Sequence, residues 1–381
     1  MGTEIIAYRP AIGKIYTDPH TYIKYRLEKV IGTSGFDFVY KASYYTPDYS
    51  DNGNLLPSGY VTVKYLRPGQ DIVRSLSQEQ TPVRNYVNVD AWFIRRFNDG
   101  FCTALKYMSE GSIRYMLSTR FHYGLPEDCI AIVLKEALVG LHDIHNSGQV
   151  HRTFSAENIF VNFVNSNVEI KLAFEATAYE SDLDCPTETN VEIDHGPHVV
   201  STSVPPLSII SEWAAAPEVY NALYDNAAKD QEEDQNCRTF KSDMWLVGIA
   251  ALELAYGNIR ANSRAEFDAM INKIRLSKRL PNKLEYLLEE ITAEEAQKFG
   301  KMKGIVESFF KDKLKLGKKK RAFSKEFENV VLECLNKKAA KRPTIEKLLQ
   351  MPFFQNAKDL KWFKRCVLHA KGPMPIADYG Y

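Results

Sequence analysis

Hydrophobic and polar residues alternate through the first part of the chain. The runs YIKYRLEKVIG, FDFVYKASYY and YVTVKYL are rich in Val, Ile, Tyr and Phe, and the breaks between them carry Gly, Asn or Pro, as in the polar turn DNGN. A period of two between such breaks predicts strands, here an antiparallel meander. FCTALKYM reads as one more strand. After Ser112 the period lengthens. PEDCIAIVLKEALVGLHDIHNSG puts Ile130, Leu134, Leu138 and Leu141 on one helical face, with Pro126 near its start and Gly148 beyond its end. NIFVNF and VEIKLAF are two short strands, and the polar stretch 179–211 has the character of a long loop. SDMWLVGIAALELAYG is apolar nearly all round, which predicts a buried helix starting at Ser242 or Asp243 and stopping at Gly257. Helical segments continue to about Gln355. The pattern is that of an α+β protein with a small strand-rich lobe before a larger helical one.

Composition narrows the classes. Of 381 residues, 45% are apolar and 25% charged, as in an ordinary globular protein of one large or two smaller domains. Forty-nine basic residues stand against 48 acidic ones, so the net charge of +1 argues against nucleic acid or a membrane surface as a partner. No apolar run reaches membrane-spanning length and the start MGTEII lacks a signal-peptide core, so no membrane insertion is expected. Ile6 stands where a myristoylation signal needs Ser or Thr. The six cysteines are scattered without close pairs, which suits reduced thiols rather than disulfides or a zinc site. The basic segment FKDKLKLGKKKRAF reads as a solvated charged face ahead of a nuclear signal or partner patch.

Chemistry enters with an ordered series of motifs. IGTSGFDFVYKA is a Gly-rich turn between strands, and Lys64 in VTVK follows on the third strand. KYMSEGS comes next, preceded by Leu105, and then VHRTFSAEN, IKLAFEA, AAPEVY, SDMWLVGIAALELA and KRP. Each is weak alone. Lys64 by itself fits a surface strand lysine better than a phosphate ligand. Their order and spacing together resemble the protein kinase family over residues 22–355.

The resemblance implies a bilobal protein kinase-like fold. Residues 22–108 would form an antiparallel-sheet N-lobe and 109–355 a helical C-lobe, with 1–21 as an N-terminal extension and 356–381 as a C-terminal tail. Architectural positions are kept: His151, Arg152 and Asp243 for the catalytic-loop scaffold, and Glu218 with Arg342 as a buried ion pair. The nucleotide would meet Gly32, Ser34, Val39, Lys64, Lys106, Met108 and Asn158. Reactive positions are altered. Thr153 stands where the loop's catalytic aspartate belongs and Ser155 where its lysine belongs. The metal-binding DFG triplet is Phe174-Glu175-Ala176, and Asp37 and Ser34 replace two glycines of the phosphate loop. The short, poorly formed helix QDIVRSLSQEQTPVRN offers Glu79, with Pro82 close behind, as a candidate acid to pair with Lys64. A threonine is no base near neutral pH, and losing the base alone costs about a hundred- to ten-thousand-fold in rate. Without the triplet aspartate, magnesium has lost its main ligand. A kinase-like chain with no catalytic residues is a pseudokinase, not an enzyme.

YVTVKYL, GFDFV, the VHR-Thr loop, KSDMWLVGIAALELAYGNI, FSKEFENVVLECLNKKAAKRPT and MPFFQNAK, with the insert 276–323, resemble the STRAD-type (sterile-twenty-related adaptor) pseudokinases. That resemblance implies a cytoplasmic adaptor, with a nuclear location as a second possibility, acting in cell-polarity and growth signalling. Its implied partners are a liver kinase B-type serine/threonine kinase, which it would activate, and an armadillo-like helical-repeat scaffold (calcium-binding protein 39-like). ATP without magnesium dependence is the implied ligand, and no metal is expected. The chain ends IADYGY, unlike the acidic-aromatic scaffold-docking tail of that family, and keeps Lys64 where some members carry arginine. Two further readings stay open: a residually active kinase using Lys64, Asn158 and Glu175 with atypical metal binding, and a nucleotide-free scaffold favoured by Ser34 and Asp37.

Overall fold

The computed structural model describes residues 12–17, 22–34, 37–46, 57–66, 94–97, 100–146, 148–164, 167–173, 214–224, 239–257, 259, 261, 263–281 and 323–369. The N-terminal part is a six-stranded antiparallel sheet. Its strands are β1 (Ile15–Thr17), β2 (Lys24–Ser34), β3 (Asp37–Tyr45), β4 (Gly59–Leu66), β5 (Ile94–Phe97) and β6 (Gly100–Lys106), in the order β1-β2-β3-β4-β6-β5. Alternation sorts the side chains onto two faces. Tyr25, Leu27, Tyr40, Ala42, Val61, Val63 and Ala104 pack into one buried cluster on the first face. Val39, Thr62 and Leu105 lie on the other, half-buried. β1 falls in the segment read as an extension, and its Tyr16 is 3% exposed beneath the sheet.

The helical part begins at β7 (Gly111–Ser112), which pairs with β8 (Ile159–Val164), itself paired with β9 (Asn167–Leu172). Around this three-stranded sheet stand α1 (Ile113–Thr119), α2 (Glu127–Asn146), α3 (Pro217–Tyr224), α4 (Phe240–Tyr256), α5 (Arg264–Ser277), α6 (Lys325–Cys334), α7 (Ile345–Leu349), α8 (Pro352–Gln355) and α9 (Leu360–His369). One cluster unites them, with Leu134, Leu138, Trp245, Leu252, Phe327 and Phe354 all buried. The antiparallel sheet followed by helices is the bilobal α+β fold that the sequence pattern predicts.

α4 is the axle of the larger lobe. It starts three residues earlier than expected, because Thr239 and not Ser242 or Asp243 is the N-cap. The Thr239 amide donates to Ser242 Oγ and the Thr239 hydroxyl accepts from Lys241 N, a capping box. Gly257 ends the helix at φ 78°, a left-handed conformation that suits glycine. Midway, Gly248 lets α6 approach closely: a Cβ there would lie 2.8 Å from Leu335 Cδ2. Helical structure also runs past Gln355. α9 lies in the segment read as a tail, and it buries Phe363 and Val367 in the core. Phe174, Glu175, Ala176, Glu79 and the loop 179–211 lie outside the described residues, as do residues 282–322 of the insert.

Candidate functional site

The segment between α2 and β8 carries VHRTFSAEN, and a single carboxylate organises it. Asp243, fully buried near the start of α4, accepts the His151 amide at 2.7 Å on Oδ2 and the Arg152 amide at 2.8 Å on Oδ1. His145 Nε2, from the end of α2, donates to Oδ2 at 2.8 Å. Arg152 has φ 70°, an uncommon conformation for a residue with a Cβ, and the bonds of two successive amides to one carboxylate hold it there.

His151 carries the order onward. Its Nδ1 accepts from the Thr153 amide at 3.3 Å and its Nε2 donates to the Ala173 carbonyl at 2.9 Å. One ring nitrogen accepts and the other donates, so the imidazole is neutral. Burial pushes its pKa below the ordinary histidine range, outweighing the raising effect of Asp243 and the Ala173 carbonyl. A lowered folded pKa makes this contribution to stability complete above the unfolded value of about 6.5 and lost as pH falls below it. The unfolding midpoint of the wild type is therefore expected to fall more steeply below pH 6.5 than that of His151→Asn. Equal pH slopes in the two proteins would contradict this.

Thr153 ends the scaffold in solvent. Its side chain is exposed, while its carbonyl accepts Asn158 Nδ2 at 2.7 Å. The Asn158 carbonyl accepts the Ala173 amide at 2.7 Å, which ties the loop to the end of β9. The loop is thus fully built, and the side chain it presents at position 153 has no ionisable group.

The remaining predicted residues divide into three groups. First, Gly32 on β2 pairs with Val39 on β3, and Val39 pairs with Lys64 on β4, so these three form one cross-strand row. Directly opposed residues share a face, and Gly32 and Val39 are half-buried, as are Thr62 and Leu105. Among the described residues no atom lies within 4 Å of where a Cβ on Gly32 would stand, so the backbone there is open to close approach. Ser34 pairs with Asp37 at the hairpin end, and the side chains of Ser34, Asp37 and Lys64 are outside the described residues. Second, the segment after β6 holds Met108 buried, whereas Lys106, the last residue of β6, turns its Nζ to Glu169 on β9 at 2.9 Å. Lys106 therefore commits its side chain to the larger lobe rather than to the sheet face of the row. Third, Arg342, with no side-chain exposure, makes a two-pronged pair with Glu218 at 2.5 and 2.7 Å. The guanidinium also donates to the Asn336 and Lys241 carbonyls and lies 5.2 Å from the Trp245 ring.

Some organising residues escaped the sequence reading. Glu253 on α4 accepts the Ala156 amide at 3.1 Å and forms a buried ion pair with Arg114 on α1. Arg264 on α5 donates to the Ala215 carbonyl at 2.8 Å and lies over the Tyr220 ring at 4.2 Å, while Trp245 donates to the Ala214 carbonyl at 2.8 Å. These bonds hold the segment leading into α3 against α4 and α5. The motif Ser-x-x-Glu at 263–266, where Ser263 accepts the Glu266 amide, was the available signal for the start of α5.

A two-lobed fold with an ordered catalytic-type loop and no catalytic acid at position 153 defines a kinase-like class. The protein kinase domain family model matches residues 74–354, more than half of the chain, and the chain belongs to that family. It is similar to STE20-related kinase adapter protein alpha of Gallus gallus, at 27% identity over 267 residues covering 66% of this chain and 60% of that protein. The same adapter from Rattus norvegicus is 28% identical over 269 residues, with the same coverage. Germinal center kinase 3 of Caenorhabditis elegans is 24% identical over 293 residues, covering 76% of this chain and 39% of that kinase. The chain spans less than two thirds of the length of these relatives. Among the described residues no helix is long and apolar enough to cross a membrane.

Proposed function

We propose that this chain is a catalytically inactive adaptor that binds a partner serine/threonine kinase of the liver kinase B type and activates it. The observation that carries the reading is the contrast at the loop. Asp243, His151 and Asn158 keep their ordering bonds, while position 153 offers a hydroxyl where proton transfer needs a carboxylate. Selection for shape without chemistry is what an adaptor requires. Similarity to the STE20-related kinase adapters supports the same reading, and similarity to kinases of that group fits the shared fold.

The mechanism is one of population shift. A rigid two-lobed surface that fits the active form of a partner better than its inactive form moves the partner toward activity. A change from mostly off to mostly on needs about 5.5 kcal/mol of differential affinity. The segment held by Arg264 and Trp245, with α5 beside it, is the proposed contact region. Trp245 is itself fully buried, so it supports that surface from beneath. A helical-repeat scaffold is the proposed third component, and the cytoplasm the proposed site of action, with a nuclear pool as the alternative.

ATP is the proposed ligand, held against the Gly32, Val39 and Lys64 row and bound without need of magnesium. The open approach at Gly32 fits a phosphate-bearing ligand there. Bound nucleotide would supply no chemistry and would stabilise the fold by linkage. At ligand about a hundredfold above its dissociation constant the expected rise in unfolding temperature is roughly 5 °C. It is expected to be equal with and without magnesium and abolished in Lys64→Ala. A rise that appears only with magnesium, joined by phosphoryl transfer from the purified chain, would favour the residually active kinase instead.

A further inference from the structure

Lys106 ends β6, and Tyr107 follows it on the way from the sheet into the larger lobe. Consecutive residues of an extended chain point to opposite sides, and here the two side chains reach different lobes. Lys106 Nζ lies 2.9 Å from Glu169 on β9. Glu169 also accepts Asn162 Nδ2 at 3.2 Å, and Asn162 Oδ1 accepts the Ser109 amide at 3.2 Å. Ser109 Oγ then accepts the Phe163 amide at 3.1 Å, and the Glu110 amide donates to the Val161 carbonyl at 3.1 Å. Burial alone would raise the Glu169 carboxyl, but donation from Lys106 and Asn162 overrides it and holds the pKa below the ordinary range. The connecting segment is thereby stitched to β8 and β9.

Tyr107 turns to the sheet. Its ring stands edge-on to Tyr60 on β4 at 6.3 Å, and Lys41 Nζ on β3 lies 4.8 Å from the Tyr107 ring centroid and 3.9 Å from that of Tyr60. A cation shared by two rings is attracted to both faces. Burial raises the Tyr107 phenol above its ordinary pKa, aided by Glu110 and Tyr60, so the ring stays neutral.

We infer that Lys106 and Tyr107 form a two-armed brace that fixes the hinge, and through it the angle between the lobes, without any nucleotide. One arm is the Lys106–Glu169–Asn162–Ser109 chain on the C-lobe side, and the other is the Tyr107–Lys41–Tyr60 stack on the N-lobe side. The consequence is a chain that holds its shape with an empty cleft. The brace stands or falls independently of the partner's identity, because its test uses the full chain alone.

The test is backbone hydrogen exchange of the nucleotide-free protein, read at the amides of Ser109, Glu110 and Gly111. Lys106→Met and Tyr107→Leu are each expected to speed exchange there about fivefold, the scale of a single partly buried pair, while amides of α4 are unchanged and Lys106→Arg keeps the wild-type rate. Spin labels carried on non-native amino acids at the exposed positions Lys24 and Lys325 should report an interlobe distance distribution that is narrow in the wild type and at least twice as wide in Lys106→Met. Unchanged hinge exchange in both weakened variants, or an unchanged distance distribution in Lys106→Met, would overturn the brace. So would equal acceleration throughout α4, which reports general loosening.

Discussion

Asp243→Ala is expected to destabilise the fold by roughly 3–5 kcal/mol, because it orphans several buried donors at once and each costs about 1–3 kcal/mol. The carboxylate is fully buried and accepts the amides of His151 and Arg152 together with the His145 imidazole. Alanine offers none of these an acceptor. Arg152 would also lose what holds it at φ 70°, so the loop up to Asn158 should lose its order along with the stability. Asp243→Asn keeps the volume and one acceptor oxygen and should lose about half as much. The urea midpoint at constant slope measures both variants. A loss under about 1 kcal/mol for the alanine variant would mean the loop stands without its carboxylate.

Glu218→Ala should be nearly as damaging, at about 3 kcal/mol, since it strands a buried guanidinium. Arg342 has no side-chain exposure, while Glu218 is 28% exposed, so water compensates for part of the loss. The Asn336 and Lys241 carbonyls and the Trp245 ring retain some hold on the cation, which places the figure at the lower end of the range for broken buried pairs. The double variant Glu218→Gln with Arg342→Met removes both charges and should lose less than the two single changes summed. Additive losses in that cycle would show that the pair does not act as a unit.

Both predictions concern residues that were legible in the sequence, and the reason is physical. Asp243, His151, Glu218 and Arg342 sit in short motifs whose order along the chain is itself the signal. Gly257 and Gly148 marked helix ends because left-handed conformations favour glycine. The helical face of α2 and the all-round apolar α4 were legible because period and burial go together. Other parts left no local mark. Lys106 and Glu169 are separated by 63 positions, and Arg114 and Glu253 by 139, so no pattern in either segment announces the pair. The start of α4 was misplaced because Thr239 lies outside the apolar run that defined the helix. β1 and α9 lie beyond the motif-bearing region, one only three residues long and the other carrying three basic residues in ten, and both take their place from packing against elements already formed.

These residues fit the proposed account, a kinase-like chain whose loop keeps its order with threonine at position 153. The most direct measurement is the activity of a purified liver kinase B-type kinase toward a peptide substrate, with this chain added to saturation and the helical-repeat scaffold present or absent. The account predicts a rise of at least tenfold in partner activity, with no phosphate transferred by this chain alone. No change in partner activity at saturation, or phosphate transfer by the chain itself that is lost in Asn158→Ala, would contradict it.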